Sequence, residues 1–233
     1  YADTWMDDHD FTGTVGVNYE ARGYNDLSVR RQDMLTEELS DFNLAFGNVD
    51  NLTGGVKEYA LAGLFYRFTY AWKSRYLFET NGRLDGSSRF PKGNQWGFFP
   101  SVSAAWRLSE EPWMADVKSV MNNAKLRVSY GSLGNQNIGY YDYYQTVDTN
   151  GTLSYTFNGS NKSQYAYVSD PVSTGTWETV TTFDVGADLG FLKDKLTFSG
   201  DFYIRNTKGI LAVGKQLPSI YGAGEPKVNA NAM

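Results

Sequence analysis

The chain has 233 residues, a formal net charge of −5, a single His and no Cys. A mean hydropathy of −0.45, with no apolar run near the roughly 20 residues that a spanning helix needs, excludes a helical membrane protein, and an apolar share of 41% is too high for disorder. The cysteine and histidine counts leave no thiolate zinc site, no disulfide scaffold and almost nothing for a histidine base, so no metal, cofactor or catalytic residue is expected, and a negative balance without basic clusters argues against nucleic acid.

The dominant signal is period-2 alternation. A first strand is expected over 9–20, with Phe11, Val15, Val17 and Tyr19 on one parity, and a second over 59–72, with Leu64, Tyr66, Phe68, Tyr70 and Trp72. The third, over 75–84, sets Tyr76, Phe78 and Leu84 against Arg75, Glu79 and Arg83. The fourth, over 96–108, sets Trp96, Phe98, Val102, Ala104 and Trp106 against Ser101, Ser103 and Arg107. A fifth over 125–130 sets Leu126, Val128 and Tyr130 against Lys125 and Arg127. A sixth over 182–191 sets Phe183, Val185 and Leu189 against Asp184 and Asp188, and a seventh over 195–205 sets Phe198, Phe202 and Ile204 against Asp201 and Arg205. Turns at 73–74 and 192–194 are short, whereas 21–58, 85–95 and 131–178 read as long connections, and a further one opens at about residue 209. Ser109-Glu-Glu-Pro-Trp-Met114 reads as the capped start of a short helix on the short-turn rim. The chain begins at Tyr1 without an initiator Met or signal peptide, and is expected to be a piece of a longer protein.

Alternation also occurs in soluble sandwiches, where strands average about 5 to 6 residues. Several strands here run to ten or more, the length that a tilted strand needs to cross a bilayer. Trp96 and Trp106 share a parity ten residues apart. That is roughly 33 Å along a strand, and a tilt of about 45° reduces it to roughly 23 Å of depth, close to the ~25 Å apolar band between aromatic girdles. The expected fold is all-β, an antiparallel transmembrane β-barrel segment of seven or more strands. Trp96 and Trp106 are read as membrane girdle, and Arg75, Glu79, Arg83, Arg107, Arg127, Asp184, Asp188 and Asp201 as lumen-facing charges that pair with one another.

Several stretches resemble a known family. Arg83-Leu-Asp-Gly-Ser-Ser-Arg-Phe90 with Gly97-Phe-Phe-Pro-Ser-Val-Ser103, Lys125-Leu-Arg-Val-Ser-Tyr-Gly-Ser-Leu-Gly-Asn-Gln136, Phe183-Asp-Val-Gly186 and Asp201-Phe-Tyr-Ile-Arg205 resemble the C-terminal part of the barrel of SusC-like TonB-dependent transporters of Bacteroidetes. The resemblance implies a 22-stranded outer-membrane barrel of which residues 1–233 are part, with the plug and TonB box outside this chain. It also implies energy from TonB-ExbB-ExbD, a SusD-like surface lipoprotein as lid, dimers of transporter–lipoprotein pairs, and uptake of oligosaccharides or peptides. A passive porin or adhesin barrel and a soluble carbohydrate-binding β-domain remain open as alternatives.

Four groups of residues invite a functional reading. His9, among Asp7, Asp8 and Asp10, reads as a residue of a charged turn, because no Ser here carries a nucleophile-elbow motif. Asp85-Gly-Ser-Ser88 reads as a turn or a ligand loop, with Arg83 and Arg89 able to pair with Asp85. Tyr140, Tyr141, Tyr143, Tyr144, Tyr155, Tyr165 and Tyr167, with Trp177, crowd one long connection, where aromatic faces suit sugars, peptides or a lid. Substrate or lid contact is therefore expected at Tyr140, Tyr141, Tyr143, Tyr144, Trp177, Asp85 and Arg89. The strand charges are read as wall ion pairs rather than a conducting path.

Overall fold

A computed structural model describes residues 2–5, 8–36, 38, 41–157, 161–168, 175–213, 218 and 227–230. One antiparallel sheet dominates, curled as a half-barrel. Its strands follow chain order: β1 (Ala2–Trp5), β2 (His9–Arg31), β3 (Val49–Trp72), β4 (Tyr76–Ser87), β5 (Trp96–Arg107) and β6 (Met121–Asn135), then β9 (Glu178–Phe191) and β10 (Leu196–Lys208). Between β6 and β9 sits a separate hairpin, β7 (Val147–Phe157) and β8 (Asn161–Val168), and after β10 a second small pair, β11 (Ile210–Val213) and β12 (Lys227–Ala230). The seven expected strands are all present, with the four-residue β1 added at one edge.

Register turns the alternation into two continuous faces, since directly opposed residues point the same way. One row runs Phe11, Tyr70, Phe78, Ala104, Val128, Val185 and Phe202 across seven strands. The next runs Gly13, Phe68, Thr80, Val102, Tyr130, Phe183 and Ile204. On the other face the rows read Thr12, Thr69, Glu79, Ser103, Ser129, Asp184 and Tyr203, then Asp10, Ala71, Leu77, Ala105, Arg127, Gly186 and Asp201. No layer covers the apolar face among the described residues: even on central β5, Trp96 and Phe98 are 58% and 56% exposed. Near the short-turn rim that face carries an aromatic row, with Trp72 and Tyr76 ring centroids 5.4 Å apart and Tyr76 and Trp106 6.1 Å apart. His9 closes the row, its Nδ1 2.8 Å from the Tyr70 hydroxyl.

The structure departs from expectation in four places. The stretch 21–58 is mostly strand, not loop: β2 and β3 stay paired from Arg22↔Tyr59 to Arg31↔Val49. Most side chains there are exposed on both faces, so no polarity alternation marks the strands; backbone pairing carries them, with the Arg30–Asp50 ion pair at 3.6 Å beside it. Asp85, Gly86 and Ser87 belong to β4 rather than to a turn, with Asp85 opposite Gly97 and Gly86 opposite Trp96. The expected helix after Ser109 is instead two 3-10 segments, Leu108–Glu110 and Pro112–Val117. Ser109 is buried and caps nothing, and Glu111, forced extended by the proline after it, divides the two. The connection 131–178 contains the β7–β8 hairpin; the side chains of Tyr155 and Tyr167 lie outside the described residues.

Glu111 ties this rim together. It is 8% exposed, and one carboxylate oxygen accepts from the Tyr76 hydroxyl at 2.8 Å and from Trp106 Nε1 at 2.9 Å, while Arg75 lies 3.5 Å from the other. Those hydrogen bonds, Trp106 first and Tyr76 second, hold its carboxyl below the usual range. A carboxyl with a depressed folded-state pKa stabilises above its unfolded pKa of about 4.3, and that contribution disappears as pH falls through the folded value. Glu111→Gln in the full-length parent should therefore lower the apparent melting temperature at pH 7, and the gap to wild type should shrink as the pH is taken below about 4. A gap independent of pH would show that the charge is not what holds the rim.

At the opposite rim the packing is aromatic. Phe90 is fully buried and Phe99 is 7% exposed, with Trp177 centroids 5.0 Å and 5.4 Å from them. Trp177 Nε1 donates to the Gln95 carbonyl at 2.9 Å, joining the start of β9 to the loop before β5. A Cβ at Gly97 would stand 2.5 Å from the Phe99 ring and 3.0 Å from Trp177. Gly97→Leu should thus cost about 1–3 kcal/mol of stability by overpacking. On a Phe99→Ala background the same change should cost clearly less, as a double-mutant cycle in heat-modifiability gels would read; strict additivity would refute the contact.

Candidate functional site

The long-loop rim holds a cavity of about 520 Å³. It forms because β3 outlasts β4. The last β3–β4 pair is Leu61↔Ser87, and above it the next β3 donors on that edge take side-chain acceptors. The Ala60 N–H donates to Ser88 Oγ at 2.9 Å and the Glu58 N–H to the Tyr141 hydroxyl at 3.0 Å. Two loops far apart in sequence are thereby fastened to one strand edge, and the cavity lies between them and the extended β2–β3 hairpin, with Tyr19, Arg22, Glu58, Tyr59, Arg89 and Tyr140 in its wall.

Arg89 is its central cation. Its guanidinium carbon lies 4.1 Å from the Tyr59 ring centroid and 4.5 Å from that of Tyr140. Those rings are 5.8 Å apart and inclined at 61°, so they form a corner around the guanidinium rather than a sandwich. Cation–π attraction of this kind is worth about 0.5–2 kcal/mol, more as water is excluded. Arg89 Nη1 donates to the Ile138 carbonyl at 3.4 Å, and its buried Nε has no acceptor among the described residues. On the same wall, Arg22 is paired with Glu20 at 2.7 Å, and Glu20 also accepts from the Tyr59 hydroxyl at 3.3 Å.

The tyrosine loop is braced internally. Tyr143 and Tyr144 ring centroids are 4.4 Å apart and those of Tyr141 and Tyr144 6.3 Å, and the Tyr144 N–H donates to the Tyr141 carbonyl at 2.8 Å. A hydrogen bond with Tyr144 pushes the Tyr143 hydroxyl up to about 12, so it keeps its proton at physiological pH. Asp142 accepts from the Gly139 N–H at 3.0 Å and shapes the turn before them.

Of the residues expected to contact a ligand, Arg89, Tyr140, Tyr141 and Tyr143 meet at this cavity, and Tyr144 packs behind them. Trp177 and Asp85 stand elsewhere. Trp177 is absorbed in the Phe90–Phe99 cluster. Asp85 is paired with Arg83 at 2.8 Å, not with Arg89, and Arg83 also reaches Asn18 at 3.3 Å. Tyr19, Arg22, Glu58 and Tyr59 were not anticipated, because their strand residues reach the site only through the length of the β2–β3 hairpin.

The charged face carries further pairs. Arg67 meets Glu79 at 2.8 Å, and Arg127 bridges Asp188 at 3.2 Å and Asp201 at 2.7 Å, with Ser199 donating to Asp188 at 2.6 Å. Asp184 lies on the same face, opposite Ser129 and Tyr203. Arg75 and Arg107 sit at the short-turn rim, on Glu111 and on the Ser74 carbonyl. The Arg89 cavity thus combines rings, a cation, hydroxyls and backbone polar groups. Among the described residues, no group of three or more His, Cys, Asp or Glu side chains is placed to hold a metal ion.

Comparison with known proteins agrees with this architecture. SusC, a TonB-dependent receptor of Bacteroides thetaiotaomicron, is 39% identical over 158 residues, covering 65% of this chain and 15% of that protein. The TonB-dependent receptor P39 of Formosa agariphila is 30% identical over 216 residues, 91% of this chain and 20% of the relative. The chain thus spans only about a fifth, or less, of the curated relatives it matches. Among solved structures, the RagAB peptide transporter superposes with a TM-score of 0.81 at 23% identity, over 98% of this chain and 25% of that one, a likeness of fold. The family described as TonB dependent receptor-like, beta-barrel matches residues 1–232, and the chain belongs to that family.

Proposed function

We propose that this chain is part of the wall of an outer-membrane importer that takes up oligosaccharides or peptides by TonB-dependent transport. The observation that carries the reading is a face seven strands wide that is charge-free in mid-sheet and has no layer over it among the described residues. In this reading that face meets outer-membrane lipid, Trp96 and Trp106 lie at its two interfaces, and the charged face lines the lumen. Such charges are costly against hydrocarbon and normal in a wet lumen. The short turns lie on the periplasmic rim, and the tyrosine loop and the Arg89 cavity lie outside the cell. The plug and TonB box belong to the rest of the parent protein, which draws energy from TonB-ExbB-ExbD. A SusD-like lipoprotein closes the outer mouth, and such pairs associate as dimers. The family relationship to SusC and the shared fold with a peptide transporter support both substrate classes and this partnership. The wall itself performs no bond chemistry.

Two measurements on the full-length parent test this reading. Ala104→Arg should destabilise the barrel by about 2–4 kcal/mol if the site is near the bilayer midplane, whereas Ser103→Arg on the opposite face should be far milder; equal costs would overturn the facial assignment. Substituting Tyr140, Tyr141, Tyr143 and Tyr144 together by Ser should reduce uptake several-fold while the barrel still assembles, because none lies in a main-sheet strand. Unchanged uptake together with unchanged lipoprotein association would leave these rings only a packing role.

A further inference from the structure

We infer that the Arg89 corner is a carboxylate-binding subsite, which selects acidic ligands among those the importer admits. The inference rests on the importer reading above and deepens it. Arg89 is held half-buried by two aromatic rings, which attract a cation but accept none of its N–H donors in hydrogen bonds. Among the described residues, no carboxylate lies within ion-pair distance of its guanidinium, the Nε has no acceptor, and the guanidinium's one hydrogen bond is the long contact to Ile138. The neighbouring cation, Arg22, differs in being already neutralised by Glu20 at 2.7 Å. A guanidinium with unused donors, facing a 520 Å³ cavity, matches a ligand carboxylate, which offers two acceptors to its planar fork. The Tyr59 and Tyr140 rings beside it supply the apolar faces on which a sugar ring or a peptide side chain packs. Glu58, the residue before Tyr59 in β3, gives this rim its backbone N–H and projects its side chain to the opposite face of the strand from the Tyr59 ring. Free carboxylates come from two sources, the uronic residues of an acidic oligosaccharide and the C-terminus or acidic side chains of a peptide, of which the C-terminus is the one every linear peptide carries.

The test uses the full-length transporter in detergent and two probe pairs at low salt. One pair is a uronic-acid trisaccharide and its methyl ester; the other is an N-acetylated pentapeptide with a free C-terminus and its C-terminal amide. At least one acid should bind about tenfold or more tightly than its neutral counterpart. A preference in one pair names the source, and a preference in both means that the subsite reads the carboxylate alone. Arg89→Gln should erase the preference, and Arg89→Lys should reduce it, because an ammonium keeps the charge but lacks the fork. Equal binding of acid and neutral probes to wild type overturns the inference, as does a preference that survives Arg89→Gln. If the arginine variants fail to assemble, the wild-type comparison of acid and neutral probes still decides. Sustained uptake of a neutral oligosaccharide or peptide, with no acid preference, would overturn the subsite and leave the importer reading standing. Absence of any energy-dependent uptake would instead remove the importer reading.

Discussion

The constraint on which this structure depends is the pairing of backbone groups along one antiparallel ladder. Each main-sheet strand bonds to its successor in that sheet, and a period of two residues then assigns side chains to a face, apart from register shifts at Arg30/Arg31 and Met121/Asn123. A slip of one residue would carry Glu79, Arg127 and Asp188 onto the face that now holds Phe78, Val128 and Val185. The ladder and the segregation of charge therefore specify each other. The short strand-to-strand turns follow the same demand: Lys73, Ser74, Leu192, Lys193 and Asp194 all take left-handed backbone angles, which glycine would adopt more easily, so that the chain reverses within a few residues.

An ordinary soluble domain closes a second layer over its apolar face and buries its large side chains there. Here the buried apolar side chains are few, Phe90, Phe99, Met114, Ala124, Ile138 and Ala45, and most of them sit at the rims or in connections rather than in mid-sheet. Stability within the wall comes instead from ladder hydrogen bonds, cross-strand ring contacts such as Phe11 with Tyr70 at 4.8 Å, and ion pairs on the polar face. Exposed ion pairs of this kind contribute little individually. The network around Arg127, which joins β6, β9 and β10 through Asp188, Ser199 and Asp201, acts as a register lock more than as an energy source.

Strands whose two faces meet different surroundings were legible from sequence, because polarity then alternates with the backbone. That covers part of each of the seven main strands, with the alternation of charged against apolar residues along β4 to β6, β9 and β10. Where both faces of a strand are exposed, alternation vanishes, and the upper halves of β2 and β3 were read as a loop for that reason. Asp85-Gly-Ser87 was read as a turn from its composition, yet strand pairing on both sides overrides local turn preference, and Trp96 packs over Gly86. The crowding of tyrosines around 140–144 was visible. Their meeting with Arg89 and Tyr59 was not, since it joins residues 51 and 81 positions apart through the relative lengths of neighbouring strands.

The position of the cavity follows from that difference in length. If β4 had continued beyond Ser87, its backbone would have taken the Ala60 and Glu58 donors, and neither Ser88 nor Tyr141 would have had a strand edge to bind. Ending β4 early exchanges two ladder bonds for two side-chain bonds of similar strength. What the exchange gains is reach: a serine hydroxyl fastens the loop after β4, and a tyrosine hydroxyl fastens a loop more than fifty residues later in the chain. Arg89 is one residue past the first anchor and Tyr140 one residue before the second. Their contact beneath Tyr59 is therefore set by backbone geometry at the strand edge rather than by the flexibility of long side chains. A cation–aromatic corner built this way sits at the loop rim of the sheet, where loops are free to vary, yet inherits its precision from the most regular part of the fold.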